Sequence, residues 1–193
     1  MKRIAITALL LTVFLTLLLG VVYPLVVWGI GQICFKEQAR GSMIVREGRT
    51  VGSRLIGQPF AGPRYFHPRP SASGYNASVS GGSNLAPSNR ALVDAVRRRV
   101  EEAGKDDPRP VPLDLVEASA SGLDPDISSA AAIWQAPRVA RARGIDETTL
   151  FAIIRRHTER SLLGFIGEPR VNVLLLNLYL DERFGRGDNN ARE

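Results

Sequence analysis

Cysteine is almost absent from this sequence. Cys34 is the single cysteine among 193 residues, so the chain can form neither an internal disulfide nor a zinc site built from cysteines. Histidine is nearly as scarce, because only His67 and His157 occur and they lack the spacing of a helical zinc-enzyme motif. The sequence therefore predicts no metal site.

Long runs of charge of one sign are also missing. The chain has 25 Lys and Arg against 19 Asp and Glu, a net charge of +6. The densest basic cluster, Arg97 to Arg99, is not interleaved with the aromatic residues that a single-strand binding surface would need. We therefore expect no nucleic-acid partner.

Catalytic motifs are missing as well. The sequence contains no phosphate-binding G-x-x-x-x-G-K-[ST] loop and no G-x-S-x-G nucleophile turn. A serine hydrolase would also need a histidine base, for which His67 is the better candidate because His157 falls on a predicted helix. We predict no catalytic residue, and a membrane-anchored hydrolase using His67 is kept as an alternative hypothesis.

One long hydrophobic run is the strongest positive signal. No charged residue occurs from Ile4 to Phe35, and a helix of this length, at about 1.5 Å per residue, exceeds the ~30 Å hydrocarbon core of a bilayer. The run is also too long for the apolar core of a secretory signal. We predict a transmembrane anchor at residues 1–35, which places the chain in a lipid bilayer as a single-pass protein.

Charge alone leaves the orientation of this anchor open. Lys2 and Arg3 precede the apolar run, but Lys36, Arg40 and Arg46 follow it closely. The usual excess of basic residues on the cytoplasmic side therefore does not decide which end is inside.

The remaining 36–193 segment has the length of one soluble domain. Short strands or extended loops are expected at Met43–Val45, Thr50–Val51 and Arg54–Ile56, where β-leaning residues alternate with glycine. A long Gly/Pro/Ser-rich loop follows at 62–89, and a loop of that length in a compact domain is usually functional or disordered.

Helices dominate the second half of the predicted domain. Ser88 or Asn89 can cap the first helix, and Asp146 can cap another. Val171–Leu180 is so apolar that periodicity cannot decide between helix and strand, although Pro169 favours a helix start. The pattern therefore predicts one α+β (mixed α/β) domain, with an alanine-rich helix at Ser128–Ala142 that is broken or kinked at Pro137, and a possible strand at Val111–Val116.

Two polar segments carry the candidate contact residues. In the first segment, glycines flanked by hydroxyls and an amide can turn backbone N–H groups toward an anion or another backbone, although a tight structural turn is the more common use of such a sequence. In the second, Gln135 with Arg138, Arg141 and Arg143 could bind an anion or a partner carboxylate, or form a solvated basic face. The first segment comprises Ser80, Gly81, Gly82, Ser83 and Asn84.

Taken together, the loop motifs resemble those of a known family. They occur in the order Y-F-H-P-R-P-S, S-G-G-S-N-L, D-L-V-E-A-S-A-S-G-L-D-P-D-I-S, R-V-A-R-A-R-G and G-E-P-R-V-N-V-L-L-L-N, between Tyr65 and Asn177. This order resembles the KdpC family, the C subunits of the bacterial high-affinity potassium-transporting P-type ATPase, over nearly the whole chain.

The resemblance implies a noncatalytic accessory subunit of an ATP-driven potassium uptake pump. Such a subunit is expected to assist assembly and, as a catalytic chaperone, to raise the ATP affinity of the hydrolysing subunit. Its implied partners are a channel-like potassium-translocating subunit, a P-type ATPase subunit and a small single-span subunit. The sequence agrees, because it lacks the D-K-T-G-T phosphorylation motif.

The resemblance also implies a bacterial inner-membrane location with a cytoplasmic N-terminus and an extracytoplasmic domain. Such a domain cannot touch cytoplasmic ATP, so ATP would act on it only through the complex. No covalently bound cofactor is expected. A nucleotide-binding regulatory domain is the alternative hypothesis. The candidate residues for partner or nucleotide contact are Ser80, Gly81, Gly82, Ser83, Asn84, Ser121, Asp124 and Gln135.

Overall fold

The computed structural model describes residues 1–105, 107–161 and 166–185. The chain falls into two compact units, Met1–Ser53 and Arg54–Glu193. The sequence predicts an anchor at 1–35 and a domain at 36–193. This boundary coincides with the end of the apolar helix, and as a boundary between domains it stays a prediction.

The first unit begins with a helix that runs without interruption from Lys2 to Cys34. It consists of α1 (Lys2–Leu17), a π-helical segment (Leu18–Val22) and α2 (Tyr23–Cys34). None of its residues is buried, and the helix is long and apolar enough to cross a membrane. The predicted anchor helix is therefore confirmed.

The π-helical segment directly precedes Pro24. The N–H of Tyr23 donates to the carbonyl of Leu18, five residues back, whereas an α-helix would use the residue four back. Proline has no N–H and its ring crowds the preceding turn, so a wider turn at this point accommodates Pro24 without breaking the helix.

A short helix, α3 (Lys36–Ala39), leads into an antiparallel hairpin of β1 (Met43–Arg46) and β2 (Arg49–Ser53). The predicted strands at Met43–Val45 and Thr50–Val51 are confirmed. A strand at Arg54–Ile56 is wrong, because these residues turn. Strand β1 begins at Met43, which pairs with Ser53. The residues just before it, Gly41 and Ser42, have positive φ and turn the chain away. Residues beyond Ser53 therefore have no strand beside them in this hairpin.

In its described residues, the second unit combines a small antiparallel sheet with four α-helices. The sheet has the order β3-β5-β4, with β5 (Arg170–Asn172) paired to β3 (Asp126–Ser128) and to β4 (Thr158–Glu159). This is the mixed α/β domain that the sequence predicts. The helices are α4 (Arg90–Gly104), α5 (Ser129–Arg143), α6 (Glu147–His157) and α7 (Val173–Phe184).

Side-chain caps fix where these helices begin. Asn89 accepts a hydrogen bond from the N–H of Ala91 at the start of α4, and Asp146 accepts one from Thr149 at the start of α6. Each cap satisfies a backbone donor that has no partner within its helix. Both predicted caps are confirmed.

The apolar stretch Val171–Leu180 contains both of the structures that its sequence left open. Its first residues belong to β5, and the chain becomes helical at Val173. Asn172 caps α7 by accepting from the N–H of Leu175. Pro169 therefore precedes a strand, and the expectation that it starts the helix is wrong. Residues Arg170–Asn172 pair with β3 and β4 as strand β5, so the helix begins only after them.

Two further expectations are corrected. Helix α5 is not broken at Pro137, because Ala136 and Val139 on either side of it are buried in the core and their packing holds the helix together. A kink at Pro137 stays a prediction. The predicted strand at Val111–Val116 is absent, because a single 3₁₀ turn occupies Leu113–Leu115. Pro112 in this segment has no N–H group to donate to a neighbouring strand.

The core lies where α5, α6 and α7 meet the sheet. Its largest fully buried side chains include Leu150 and Ile154 from α6 and Leu176 and Leu180 from α7. Phe66 joins them from the long loop and is also fully buried. One residue of an otherwise irregular segment is thus part of the hydrophobic core.

Two buried side-chain amides hold the loop around Phe66. Asn177 accepts from the N–H of Phe66 at 2.9 Å and donates to the carbonyl of the same residue at 2.9 Å. Gln135 does the same for His67, at 2.8 and 3.1 Å. Each amide thus bonds to both the N–H and the carbonyl of one loop residue, as a neighbouring strand would. These backbone groups would otherwise be left without hydrogen bonds beside the core.

We predict that Asn177→Leu destabilises the second unit by about 2–6 kcal/mol, because two buried backbone groups lose their partners at about 1–3 kcal/mol each. The measurement is chemical denaturation of the full chain in detergent. Asn76→Ala is the control, since Asn76 is exposed and bonds only locally to Ser78; its effect should stay below about 1 kcal/mol. Equal effects for the two variants would contradict this role of Asn177.

Candidate partner-contact loops

The long loop extends from Arg54 to Asn89 without a helix or strand. The sequence prediction of a loop at 62–89 is confirmed, and the loop is ordered by its contacts with a second loop. The second loop, residues 117–125, lies between the 3₁₀ turn and β3. We refer to the two segments as the long loop and the short loop.

Backbone hydrogen bonds join the two loops. The N–H of Gly81 donates to the carbonyl of Ser121 at 2.8 Å, and the Ser80 hydroxyl donates to the same carbonyl at 3.2 Å. Further along, the N–H of Ser119 donates to the carbonyl of Pro70 at 2.9 Å. The structure thus brings Ser80 and Gly81 together with Ser121, and their part in partner contact stays a prediction.

Glycines allow this close approach. A Cβ at Gly82 would lie 2.9 Å from the carbonyl oxygen of Ala120. At Gly122, where φ is +68°, a Cβ would lie 2.6 Å from the Ser73 hydroxyl and 2.7 Å from the carbonyl of Gly81. No other residue type fits these two positions without displacing backbone.

Hydroxyl groups of the long loop complete the junction. Ser71 donates to the carbonyl of Gly122 at 2.6 Å and accepts from the N–H of Tyr75. The Tyr75 hydroxyl donates to the carbonyl of Arg69 at 2.7 Å. Burial raises the pKa of Tyr75, although the nearby charge of Arg99 acts in the opposite direction, so this hydroxyl remains a donor at neutral pH.

Asp124 anchors the end of the short loop. Its carboxylate lies 3.2 Å from the guanidinium of Arg69 and accepts a hydrogen bond from the N–H of Asp126. Next to it, burial raises the pKa of Asp126, against the lowering effects of a hydrogen bond from Asn172 and the charge of Arg170. Asp124 is therefore bonded within the chain, and its part in partner contact stays a prediction.

Ser83 and Asn84 point outward from the junction. Both are exposed, and Asn84 adopts a positive φ of 53°, a conformation that asparagine tolerates better than most residues. Because their neighbours Gly81 and Gly82 are fixed against the short loop, these two side chains are presented on a rigid support.

Gln135 lies apart from residues 80–84. It is buried, and besides its two bonds with His67 it accepts from Arg138 at 2.8 Å. The structure therefore brings the other candidates into two adjoining loops and assigns Gln135 to the support of the long loop. An adenine nucleotide bound jointly by Gln135 and the Gly81 N–H would have to displace several of these hydrogen bonds.

The two histidines also have local partners. His67 Nε2 lies 3.0 Å from the carbonyl of Gly62, and His157 Nδ1 lies 3.0 Å from the carbonyl of Ile153, one turn earlier in α6. Within the described part of the chain, no group of three or more His, Cys, Asp or Glu side chains could hold a metal ion.

Sequence reasoning missed Asn177, Ser71 and Arg69, which hold the loops in place. Asn177 carried a readable signal, since a single amide inside an apolar stretch is buried and needs hydrogen-bond partners. Ser71 and Arg69 carried none, because serine and arginine are common in loops and their partners lie about fifty residues further along.

Comparison with known proteins gives a consistent result. The family model for the c chain of the K⁺-transporting ATPase, KdpC, matches residues 5–182. A relative from Koribacter versatilis is 53% identical over 184 residues, covering 94% of this chain and 95% of the relative. Relatives from Methylibium petroleiphilum (54%, covering 95% and 99%) and Rhodospirillum rubrum (56%, covering 92% and 94%) are similar. All three are described as "Potassium-transporting ATPase KdpC subunit".

We predict that Gly122→Ala destabilises the chain by about 2–5 kcal/mol, through a positive φ costing about 1–2 kcal/mol and the clash with Ser73 and Gly81. Gly144→Ala is a matched control, since Gly144 has the same φ of +68° but nothing within 4 Å of an added Cβ. It should lose only about 1–2 kcal/mol. Denaturation midpoints that coincide for the two variants would show that the loop junction is not tight.

We predict that Asp126→Asn changes stability in a pH-dependent way. A carboxyl whose pKa is higher in the folded than in the unfolded chain opposes folding above its folded pKa, and this cost disappears as pH falls through that value. The variant should therefore be more stable than the original chain near pH 7. The gain should be no more than about 1 kcal/mol, because the variant also loses the ion pair of the half-buried Asp126 with the exposed Arg170.

The advantage of Asp126→Asn should narrow as the pH is lowered through the folded pKa of Asp126. Thermal unfolding of both proteins across this range measures the difference directly. A difference that stays constant or widens at acidic pH would contradict the raised pKa.

Proposed function

The chain belongs to the KdpC family, the c chain of the K⁺-transporting ATPase, and from this premise we propose that it assists pump assembly and raises the ATP affinity of the hydrolysing subunit. Family membership makes the chain an accessory subunit of the potassium pump, not its catalytic subunit. With its one apolar helix, it is a single-pass membrane protein. The proposal concerns how that accessory role is performed.

The observation that carries the proposal is the rigid junction between the long and short loops. Polar loops fixed on a packed scaffold commonly form interaction surfaces. Here the glycines and serines of the junction leave Ser83 and Asn84 exposed on a backbone held by Ser121 and Ala120. A preformed surface binds a partner without the entropy cost of ordering a flexible loop.

We place the domain on the extracytoplasmic side, against the channel-like potassium-translocating subunit. The P-type ATPase subunit and a small single-span subunit complete the proposed complex. ATP is hydrolysed in the cytoplasm, so a domain on the other side can raise ATP affinity only by favouring the pump conformation that binds ATP more tightly. The apolar helix Lys2–Cys34 provides the membrane attachment for this coupling.

Such coupling is reciprocal. If docking of this chain tightens ATP binding by some factor, ATP must tighten docking of the chain by the same factor. The mechanism therefore requires no nucleotide contact with the chain itself, and it differs in this respect from the alternative of a nucleotide-binding regulatory domain.

The alternative finds less support in the loop geometry. A phosphate site would need backbone N–H groups directed at the ligand, whereas the N–H of Gly81 already donates to Ser121. Saturable ATP binding by the purified full chain, lost on Gly82 substitution, would favour the alternative.

The proposed function is tested with the purified pump, prepared with and without this chain. We expect the KM for ATP to be about 5–150-fold higher without the chain, the usual range for allosteric coupling. The chain's affinity for the remaining subunits should rise when ATP is added, by the factor by which the chain lowers the dissociation constant of ATP. An unchanged KM, or recovery of the chain without other subunits from gently solubilised membranes, would contradict the proposal.

We predict that Asn84→Gly lowers recovery of the other subunits with the tagged chain by about tenfold, because it removes an exposed amide at the proposed surface. Glycine retains the positive φ of 53°, so the loop backbone is preserved. Asn89→Gly, another exposed asparagine, is the control and costs only a few tenths of a kcal/mol as a helix cap. Equal recovery for both variants would remove Asn84 from the interface.

A further inference from the structure

A half-open cleft lies between α4, α5 and the start of the long loop. Its volume is about 260 Å³. Arg99 and Glu102 come from α4, Trp134 and Arg138 from α5, and His67 and Leu115 from the adjoining segments. The loop junction described above does not include these side chains, and neither the proposed membrane attachment nor Asn84 uses them.

The described lining of the cleft carries two guanidinium groups, those of Arg99 and Arg138, and one carboxylate, that of Glu102. Arg99 makes one side-chain hydrogen bond, from Nη1 to the carbonyl of Val116 at 2.8 Å, and has no ion pair within the described part of the chain. Arg138 is held in place by the carbonyl of Pro63 at 2.9 Å and by Gln135. The hydrogen bond to a neutral carbonyl orients the Arg99 guanidinium but leaves its charge in place, and Glu102 is the one acidic side chain among the described residues of the lining.

Trp134 supplies an apolar wall of the cleft. Its indole Nε1 is buried and has no hydrogen-bond partner among the described residues, which is uncommon for a buried polar group. Leu115 and Ala103 add to the apolar lining. A ligand suited to this cleft therefore combines an anionic acceptor with a short apolar body.

The size of the cleft limits the ligand further. Pockets for drug-sized molecules usually measure about 300–1,000 Å³, so about 260 Å³ suits a single acidic side chain or a small organic acid. A planar guanidinium matches the two oxygens of a carboxylate and binds it through charge-assisted hydrogen bonds.

We propose that this cleft is a carboxylate-binding site, anchored by Arg99 and walled by Trp134. Its ligand is a carboxylate on a short apolar stem, supplied either by an acidic side chain of another pump subunit or by a small organic acid in solution. An acidic side chain from another pump subunit as the source rests on the proposed function. The binding of a carboxylate to the cleft does not.

The binding chemistry is tested in the full chain carrying Trp28→Phe, which leaves Trp134 as its sole tryptophan. Sodium propionate, an analogue of the glutamate side chain, is titrated at constant ionic strength while indole fluorescence is recorded. Propionamide has the same shape without the charge and serves as the matched ligand. We expect a saturable change with propionate and at least about tenfold weaker binding of propionamide.

Two arginine variants separate the site from general charge effects. Arg99→Gln should weaken propionate binding about tenfold. Arg97→Gln makes the same change in charge on the same helix, at an exposed residue outside the cleft, and should leave binding unchanged. The absence of saturation, equal binding of propionamide, or equal effects of the two variants would overturn the proposal.

The source of the carboxylate is distinguished by cysteine labelling. Ala103→Cys is introduced into a Cys34→Ser chain, with Glu101→Cys as the exposed control on α4, and maleimide labelling is followed on the chain after gel separation. In the isolated chain, propionate should slow labelling at position 103 only.

In the assembled pump, protection of position 103 without propionate, abolished by Arg99→Gln, identifies an acidic side chain of another subunit. Protection that appears only when propionate is added identifies a small acid as the ligand. Labelling unaffected in both preparations would overturn the site, and this result is independent of whether the chain changes the KM for ATP.

Discussion

The pairing of two buried side-chain amides with backbone residues of the long loop supports the rest of the second unit. Phe66 enters the core from a segment with no strand to pair with, and burial of unpaired backbone would be costly. Asn177 from α7 and Gln135 from α5 supply the missing partners for Phe66 and His67. The loop is therefore fixed at one point in the core, and its polar residues extend from there toward the short loop.

A buried ion pair strengthens the same region. Arg143, at the end of α5, donates to the carboxylate of Asp181 on α7 at 2.8 Å and to the carbonyl of Arg64 at 2.7 Å. Its guanidinium also lies 5.2 Å from the ring centre of Tyr65. Residues 64–67 are thus bound in succession by side chains of α5 and α7, so the two helices and the loop are expected to lose their structure together.

Features encoded by neighbouring residues were predictable from the sequence. The apolar helix, the hairpin strands and the caps at Asn89 and Asp146 depend on local patterns, and the structure confirms them. The boundary between β5 and α7 was not predictable, because both elements are apolar and only pairing with β3 and β4 decides where the strand ends. The sequence predicted the residues of the loop junction as candidates but did not predict the contact between them. Gly81 and Ser121 are far apart in sequence, and neither residue type indicates which distant residue it will contact.

The π-helical turn before Pro24 has a consequence for how the membrane helix can vary. A π turn holds one residue more than an α-helical turn, so the helix behaves as though a residue had been inserted between Leu18 and Val22. Loss of one residue there would leave the side chains of Tyr23–Cys34 facing their present directions, although Pro24 would then lose the wider turn that accommodates it. The anchor can therefore change in length by one residue without rotating its second half against whatever surrounds it.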